Sequence, residues 1–368
     1  MEPDTLVYWC ALSKVFAYKC AAGRQLLAAF GGPAAVFAAR REELTAVMHG
    51  GEAIADQLLA PPLLDWAAGE VAWASGHGIR LLAFGAPGYP RRLAECDDAP
   101  LLLYQRGAAD LDAQRVLAVV GTRKATWQGR EGCRKLIGAL CELDPKPLIV
   151  SGLALGIDGC AHAAALEYGM ETAAVLPCGL DEIYPRQHRE LALRIMEQGA
   201  LVTDFACGTA PVAFTFLRRN RIIAGLADAT LLAESYARGG GLITLSLANS
   251  YSRETFAVPG RLNDASFAGC NGVIAKQEAQ LAADGTTIPL ALGWAEAVRR
   301  PARTPLLRPG DPPMRREALE LLARRAPLSA DDLAELMHIE ARRASVLLLE
   351  LEMQGRVRTD GTKFFLTL

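Results

Sequence analysis

The sequence lacks the charge excess that proteins coating nucleic acid usually carry. It has 39 lysine and arginine residues against 41 aspartate and glutamate residues, so its formal net charge is −2 over 368 residues. Bulk electrostatic attraction to a polyanion is therefore excluded as a mode of binding. Any site for nucleic acid must be a local cluster of positive charge.

Cysteine motifs and long apolar runs are missing too. The sequence has nine cysteines, an odd number, and none of them forms a CxxC pair of the kind that binds zinc. They fall mainly in helical or strand patterns, which is typical of reduced core residues. The start, MEPDTLVYWC, lacks the basic region of a signal peptide, and no apolar run reaches transmembrane length. We therefore expect a cytoplasmic protein without a metal site.

Shifts in hydrophobic periodicity divide the chain into four segments. Residues 1–78 have apolar side chains at helical spacing and predict an N-terminal helical domain. Residues 79–298 open with short strand patterns and then alternate between strand and helix. The segment 299–313, RRPARTPLLRPGDPP, is basic and rich in proline, which is typical of a linker. Residues 314–368 form the last segment.

Six continuous apolar runs in the second segment end in glycine or small polar residues. They are VLAVVG, PLIVSG, TAAVLPCG, ALVTDF, ATLLAES and TFAVPG, and helical patterns such as REGCRKLIGALCEL lie between them. Strands that are buried on both faces of a parallel sheet have this composition. The prediction is an α/β fold with a Rossmann-like, doubly wound parallel sheet, in which ligands bind at the carboxyl ends of the strands.

The loop after the first of these strands, GTRKATWQG, does not have the GxGxxG pattern of a dinucleotide site. The second strand ends in Ser151-Gly152, where such a site has an acidic residue for the ribose, and this argues against NAD. We expect no cofactor. The loop does offer backbone amides at Gly121 and Thr122, and the planar guanidinium of Arg123 suits a phosphate group.

Two further loops follow strands at the same predicted edge. SGLALGID contains Ser151 and Gly152, and RGGGLIT places Gly240 and Gly241 ahead of Thr244. Exposed amides at the start of a helix bind anions. Three such loops match several phosphates in a row better than a single pyrophosphate.

Positive charge is concentrated in FLRRNRIIAGL, where Phe216 precedes Arg218, Arg219, Asn220 and Arg221. Arginines beside an aromatic side chain, here Phe214 or Phe216, hold a single strand through its phosphates and through base stacking. The alternative is structural.

In that alternative, Arg219 and Arg221 pair with internal carboxylates such as Asp204 or Glu234, and both phenylalanines belong to the core. The sequence leaves both interpretations open.

Together these motifs resemble the DNA-processing protein A family, also called DprA or Smf. The segments that carry the resemblance are AVVGTRKAT, SGLALGIDGCAH, AVLPCGLDEIYP, FLRRNRIIAGLADATLLAES, RGGGLIT and FAVPG, in this order. The resemblance implies a Rossmann-like domain between an N-terminal helical domain of the SAM or helix-hairpin-helix type and a C-terminal winged helix.

The resemblance also implies a function. The family's proteins bind single-stranded DNA in natural transformation without catalysing a reaction, protect the incoming DNA and load the RecA recombinase on it, and they dimerise through the Rossmann-like domain. The expected DNA-binding residues are Gly121, Thr122, Arg123, Ser151, Gly152, Phe216, Arg218, Arg219, Asn220, Arg221, Gly240, Gly241 and Thr244.

The sequence departs from the family pattern in three places. Ala213 stands where a basic residue is frequent in the family, so one of the family's phosphate contacts is not expected here. GGGLIT replaces a turn like SGSLIT and so loses a serine hydroxyl. The N-terminal segment FAYKCAAG replaces a glycine-flanked turn, so the first domain is not expected to hold duplex DNA.

A nucleotide phosphoribohydrolase on the same fold is the alternative enzyme hypothesis. RGGGLIT with Glu234 upstream resembles the glycine-rich loop and acidic residue that such an enzyme needs beside the ribose. The pattern PGGxGTxxE is absent, since Leu242 and Ile243 occupy its centre and no glutamate follows Thr244 at the required spacing. We therefore expect no catalysis.

Other polar residues favour structural interpretations. Asp158 and His162 are four residues apart on a predicted helix, but no third metal ligand is in view, so we expect a carboxylate at the helix start and a packed histidine. Cys178 ends a strand without an adjoining histidine and is expected to be a buried thiol.

The last segment predicts a winged helix. Three helical patterns precede RVRTDGTKFFLTL, a hairpin that turns at residues 360–361. A regulator that reads duplex DNA is one hypothesis, but the predicted recognition helix, IEARRASVLLLELEMQG, carries several acidic residues. A groove-reading helix is normally more basic, so a protein-interaction or accessory role is the better interpretation.

Overall fold

The alternating patterns of the sequence become a regular succession of strands and helices. The computed structural model describes residues 3–17, 19–49, 51–294, 310–325, 327–359 and 362–366. The strands are β1 (Arg80–Ala83), β2 (Leu102–Gly107), β3 (Val116–Gly121), β4 (Leu148–Ser151), β5 (Thr172–Val175), β6 (Ala200–Thr203), β7 (Ala229–Glu234), β8 (Glu254–Ala257), β9 (Gln280–Leu281), β10 (Val357–Thr359) and β11 (Phe364–Leu366).

Helices precede the sheet, connect its strands and form most of the last segment. They are α1 (Pro3–Val15), α2 (Cys20–Phe30), α3 (Pro33–Ala38), α4 (Arg41–Met48), α5 (Glu52–Leu58), α6 (Pro62–Gly76), α7 (Arg91–Ala94), α8 (Trp127–Leu140), α9 (Ile157–Glu167), α10 (Arg189–Gln198), α11 (Ala213–Leu226), α12 (Gly240–Ser250), α13 (Ala268–Ala275), α14 (Thr287–Ala291), α15 (Pro313–Arg325), α16 (Ala330–Met337) and α17 (Ala341–Met353).

Strands β1 to β9 form one mixed, mostly parallel sheet in the described part of the chain. Its order is β1-β2-β6-β5-β4-β3-β7-β8-β9. All six apolar runs predicted as strands belong to it, and they pair in parallel, which confirms the Rossmann-like class. Strands β1 and β2 join one edge in antiparallel pairing. The sequence patterns predicted these two as strands without their direction.

The strand order reverses beside β3. From β3 the chain winds through β4 and β5 to β6 on one side, and then it crosses to β7 on the other side. A crevice opens outside the carboxyl ends of the strands at such a reversal point, and ligands of this fold class bind there.

Side-chain alternation along β3 explains why both faces of the sheet are covered. Val116, Ala118 and Val120 belong to a buried cluster that includes side chains of α11, α12 and α13. Leu117 and Val119 point to the opposite face and pack with α8 and α9. Because successive strand residues face opposite sides, an uninterrupted apolar run supplies two cores at once.

The N-terminal helices pack against the same sheet. Trp9 and Leu26 share a buried cluster with Leu102, Tyr104 and Leu201 of the sheet. Residues 1–78 therefore share a hydrophobic core with the strands that follow them, and the domain boundary at residue 78 stays a prediction.

The chain divides into two compact units, Met1–Val298 and Arg299–Leu368. In the second unit, α15, α16 and α17 enclose an apolar cluster, and β10 pairs with β11 in antiparallel fashion. Three helices followed by a hairpin form the predicted winged helix. Residues 299–309 of the predicted linker lie outside the described residues, and so does the hairpin turn at residues 360–361. Among the described residues, no helix combines the length and apolar character that a membrane crossing needs.

Candidate nucleic-acid interface

A cleft of about 500 Å³ opens at the reversal point of the sheet. Its walls come from the loop after β3, from the exposed side of α11 and from the loop between β7 and α12. Nine predicted residues line it together: Gly121, Thr122, Arg123, Phe216, Arg219, Asn220, Gly240, Gly241 and Thr244. Arg238 lines it as well, so the structure brings most of the sequence-predicted set to one place.

The side chain of Arg123 stands at the exposed lip of this cleft. Its Cζ lies 4.7 Å from the ring centroid of Phe216, which is the geometry of a cation–π contact. Phe216 is half-buried, and its ring also meets the edge of Tyr184 at a centroid distance of 5.4 Å. A cation and an aromatic face are thus held next to each other at the opening.

Backbone hydrogen bonds fix the loop that carries Arg123. The amide of Thr122 donates to the carbonyl of Glu234 at 2.8 Å, and the Thr122 carbonyl accepts from the amide of Ile157 at 3.2 Å. Gly156 has a φ of +83°, and a Cβ at this position would overlap the Thr122 carbonyl oxygen. Glycine is therefore required for the two loops to meet this closely.

The carboxylate of Glu234 has a structural task. Glu234 is fully buried, and its side-chain oxygens accept the amide of Thr126 at 2.9 and 3.2 Å. The hydroxyl of Thr126 then accepts the amide of Gly129 at 3.0 Å and caps α8. The alternative enzyme hypothesis needs this carboxylate beside a ribose. In the structure the carboxylate instead binds the backbone amide of Thr126, the residue that caps α8.

Arg219 forms the floor of the cleft. Only 3% of it is exposed, and its Nη1 donates to the carbonyl oxygens of Gly152 at 2.6 Å and of Val175. Burial lowers the pKa of Arg219 to about 10; the charge of Arg123 acts in the same direction, and Asp158 opposes both. The Nε of Arg219 has no hydrogen-bond partner among the described residues. A buried cation that is held mainly by neutral carbonyls is stabilised by any anion that enters the cleft.

The loop after β4 differs from the sequence-based prediction. Its amides were expected to cradle an external anion, but those of Gly152 and Ala154 donate to the carboxylate of Asp158, in the first turn of α9. The hydroxyl of Ser151 donates to the carbonyl of Val119 at 2.5 Å, and Ser151 is fully buried. The protein's own carboxylate thus occupies the predicted cradle. Direct contact of Ser151 and Gly152 with DNA stays a prediction.

The structure corrects the placement of Arg221. Its guanidinium points away from the cleft and donates to the carboxylate of Asp204 and to the carbonyl of Asp98. The Arg221 and Asp204 side chains are 7% and 5% exposed, so their pair is internal. Arg218 also lies near Asp204, at 3.9 Å. For Arg221 the alternative interpretation, structural pairing, is therefore the observed one.

The structural interpretations of His162 and Cys178 are confirmed. The His162 ring is fully buried, and its Nδ1 is 2.7 Å from the hydroxyl of Thr172. Cys178 is fully buried, and burial raises the pKa of its thiol to about 12. No group of metal-ligating side chains is present among the described residues.

Sequence reasoning missed two aromatic residues of this region. Tyr184 is absent from the predicted site residues, but its ring packs against that of Phe216. Tyr236, which is 40% exposed, lines the cleft just after β7. An aromatic residue directly after a buried strand was the available signal for Tyr236, while the contact of Tyr184 is visible only in three dimensions.

Comparison with known proteins identifies the family to which the chain belongs. The profile described as DNA recombination-mediator protein A matches residues 80–292. The chain belongs to this family. A second profile, the DprA winged helix domain, matches residues 301–361. The resemblance recognised in the sequence motifs is thereby confirmed.

Individual relatives agree with the assignment. A putative DNA processing protein DprA of Mycobacterium tuberculosis is 36% identical over 287 residues, which is 74% of this chain and 72% of that protein. The crystal structure of DNA processing protein A from Streptococcus pneumoniae is 34% identical, with a TM-score of 0.57, and the match covers 68% of this chain and 92% of that one.

A third relative is DNA processing protein A from Helicobacter pylori, whose structure was described for its single-stranded-DNA binding mode. It is 28% identical, with a TM-score of 0.52, and the match covers 58% of this chain and 95% of that one.

Proposed function

We propose that the chain binds single-stranded DNA in the cleft and acts, in the cytoplasm, as a DNA-processing protein of natural transformation that catalyses no reaction itself. In this role it protects incoming DNA and loads the RecA recombinase on it. The observation that carries the proposal is the buried cation of Arg219 on the cleft floor, with Arg123 at the lip above it.

Phosphate is the group that this charge arrangement fits. Arg219 and Arg123 both line the cleft, and burial, with a smaller contribution from the charge of Arg123, lowers the pKa of Arg219. An anion between them stabilises both charges at once. The carboxylate of Asp158 raises the pKa of Arg219, and backbone amides already bind this carboxylate. The negative charge of Asp158 therefore does not prevent a phosphate from binding above Arg219.

The opposite wall of the cleft offers groups for the next nucleotides. The glycines at the start of α12 expose backbone there, and Arg238 is an exposed cation beside them. Phe216 and Tyr236 present aromatic rings, and a base of any identity has a π face that stacks on such a ring. We propose that phosphate contacts and stacking together give binding with little sequence preference.

The predicted site residues divide by role in this proposal. Arg123, Phe216 and Asn220, with the amides near Gly240 and Gly241, contact the strand directly. Arg219 acts from below as a buried positive charge. The remaining predicted residues hold these groups in place: Gly121, Thr122, Ser151, Gly152, Arg218, Arg221 and Thr244 shape or brace the surrounding loops and helices.

A homodimer through the Rossmann-like domain and a contact with RecA belong to the same proposal. Family membership supports both. Sedimentation of the full chain at several concentrations tests the dimer, and strand exchange by RecA in the presence of a single-strand-binding protein tests the loading.

The deciding experiment measures affinity of the full chain for an oligothymidylate and for a duplex of the same length over a series of salt concentrations. We expect the single strand to bind more tightly, with a logarithm of affinity that falls linearly with the logarithm of salt. Equal affinity for both forms, or binding insensitive to salt, would sink the proposal. Removal of residues 299–368 tests whether the second unit contributes.

The enzyme hypothesis is tested in parallel. Incubation with nucleoside monophosphates releases no free base if Glu234 serves only to cap α8. Base release that disappears in Glu234→Gln would instead establish the phosphoribohydrolase.

A further inference from the structure

One tryptophan of this chain is placed unlike the others. Trp127 is 77% exposed, whereas Trp9 and Trp294 are 8% and 7% exposed and Trp66 and Trp73 are half-buried. Exposing so large an apolar ring to water is unfavourable, and exposed tryptophans are enriched where proteins bind their partners.

The position of Trp127 is continuous with the cleft. It is the first residue of α8 and follows Arg123 by four residues, so the two are separated by at most about 14 Å of chain. The residues between them belong to the loop that forms one wall. A strand that passes Arg123 on its way out of the cleft therefore comes within reach of the indole.

The backbone of Trp127 is held firmly. The preceding residue, Thr126, donates its amide to the buried carboxylate of Glu234 and caps the helix with its hydroxyl. A Cβ on Gly129 would overlap the same carboxylate, so the first turn of α8 sits directly on Glu234. The exposed ring thus projects from an anchored helix start, and little ordering of the backbone is needed when a flat ligand stacks on it.

Charge around the ring favours a nucleic acid over another protein surface. Lys124 and Arg130 are exposed on either side of Trp127, and Nη2 of Arg130 folds back onto the carbonyl of Ala125 at 3.0 Å. Glu131, the acidic residue next along the helix, pairs with Lys135 at 3.3 Å. Two exposed cations, three residues before and three residues after Trp127 in sequence, therefore flank it along the chain, and the acidic residue that follows is paired with a lysine.

We propose that Trp127 is a second stacking platform, on which a base of the single strand rests after the strand leaves the cleft past Arg123. The proposal deepens the function proposed above and rests on it. Lys124 and Arg130 then face the phosphates on the two sides of the stacked base.

The test uses the full chain and oligothymidylates of increasing length. Binding of the longer ones quenches the emission of wild-type tryptophan, and this change is largely lost in Trp127→Phe, which keeps an aromatic ring. Trp127→Ala weakens binding of the longer oligonucleotides about 5- to 150-fold, as loss of one stacked base predicts. Trp127→Phe weakens it less. The shortest oligonucleotides that bind are affected little by either change.

The control removes an exposed apolar side chain elsewhere. Leu290 in α14 is 62% exposed, and the preceding Gly285 lies against Ala139 near the other end of α8. Leu290→Ala should bind every oligonucleotide as the wild type does.

The outcomes separate the two proposals. If the wild type binds no single strand, the proposed function fails. If it binds normally and Trp127→Ala matches it at every length, only the stacking platform is overturned. Unchanged DNA binding together with altered self-association of Trp127→Ala would assign the ring to a protein interface, and that result also overturns the proposal.

Discussion

The guanidinium of Arg123 lies over the ring of Phe216, with its Cζ 4.7 Å from the ring centroid. The cation and the aromatic face therefore cover each other. A nucleotide can engage both only from their outer sides or by parting them. Arg123 is proposed to contact a phosphate and Phe216 a base. Removal of the two side chains should therefore change the salt dependence of DNA binding differently.

Replacement of Arg123 by alanine should weaken binding and reduce its dependence on salt. One lost phosphate contact lowers the slope of log affinity against log salt by about 0.7 for a single strand. Arg123→Lys should keep much of the slope but lose affinity, because an ammonium group lacks the planar fork. The slope comes from oligothymidylate titrations at several salt concentrations.

The control for Arg123 is Arg134→Ala. Arg134 is an exposed arginine of α8 that pairs with Glu167, so the variant changes net charge equally. If both variants lose the same affinity, the effect is one of general charge, and the Arg123 contact is refuted.

Replacement of Phe216 by alanine should weaken binding without changing the salt slope. Loss of base stacking costs about 1–3 kcal/mol per base. Phe216→Leu retains apolar volume beside Tyr184 but not the aromatic face, so it should lose affinity while keeping more of the thermal stability. Phe214→Ala is the matched control, since Phe214 is 54% exposed and does not line the cleft. A reduced salt slope in Phe216→Ala would contradict this division of roles.

The pair of Arg221 and Asp204 should govern stability and not affinity. Removal of one partner of a buried ion pair costs about 3–5 kcal/mol, because the other charge stays buried without it. Arg218, 3.9 Å from Asp204, offsets only part of this cost. Arg221→Met should therefore lower the free energy of unfolding in urea, while the folded fraction binds DNA with nearly wild-type affinity. The exposed pair of Arg41 and Asp56 is the comparison, and Arg41→Ala should change stability little. A large affinity loss in stable Arg221→Met would restore the predicted phosphate contact.

Much of the cleft was predictable because sequence patterns fix which loops share an edge. Apolar runs identified the parallel strands, and the carboxyl ends of parallel strands meet on one side of the sheet. Gly121, Arg123 and Gly240 were assigned on this basis, and the structure places them together.

The direction of individual arginines was not predictable in the same way. Successive residues of a helix differ by about 100° around its axis, so the helical phase decides whether a side chain faces the cleft. Arg219 turns into the cleft floor and Arg221, two residues later, turns to Asp204. A run of like charges in the sequence carries no information about that phase.

The hydrogen bonds from the loop amides to Asp158 could not be predicted from the sequence either. A glycine-containing loop before a helix predicts exposed donors, but a carboxylate in the first turn can reach back and bind them. Asp158 does so, and its pKa is raised by burial in spite of those hydrogen bonds and the charge of Arg219. Sequence spacing alone does not distinguish an anion site from a site already filled by its own chain.

His162 should make stability depend on pH in mildly acidic solution. Burial lowers its pKa to about 3, with the charges of His188 and Arg219 acting in the same direction. An unfolded histidine titrates near pH 6.5, so between pH 6.5 and about 3 the unfolded chain binds a proton that the folded chain does not, and stability falls as pH falls. At pH 5.5 protonation of His162 in the unfolded chain lowers the free energy of unfolding by about 1.4 kcal/mol, and His162→Gln should lack this loss. Urea unfolding at pH 7.5 and 5.5 measures the difference, with the exposed His77→Gln as a control that keeps the wild-type dependence. Equal losses in wild type and His162→Gln would show that the ring accepts a proton inside the fold.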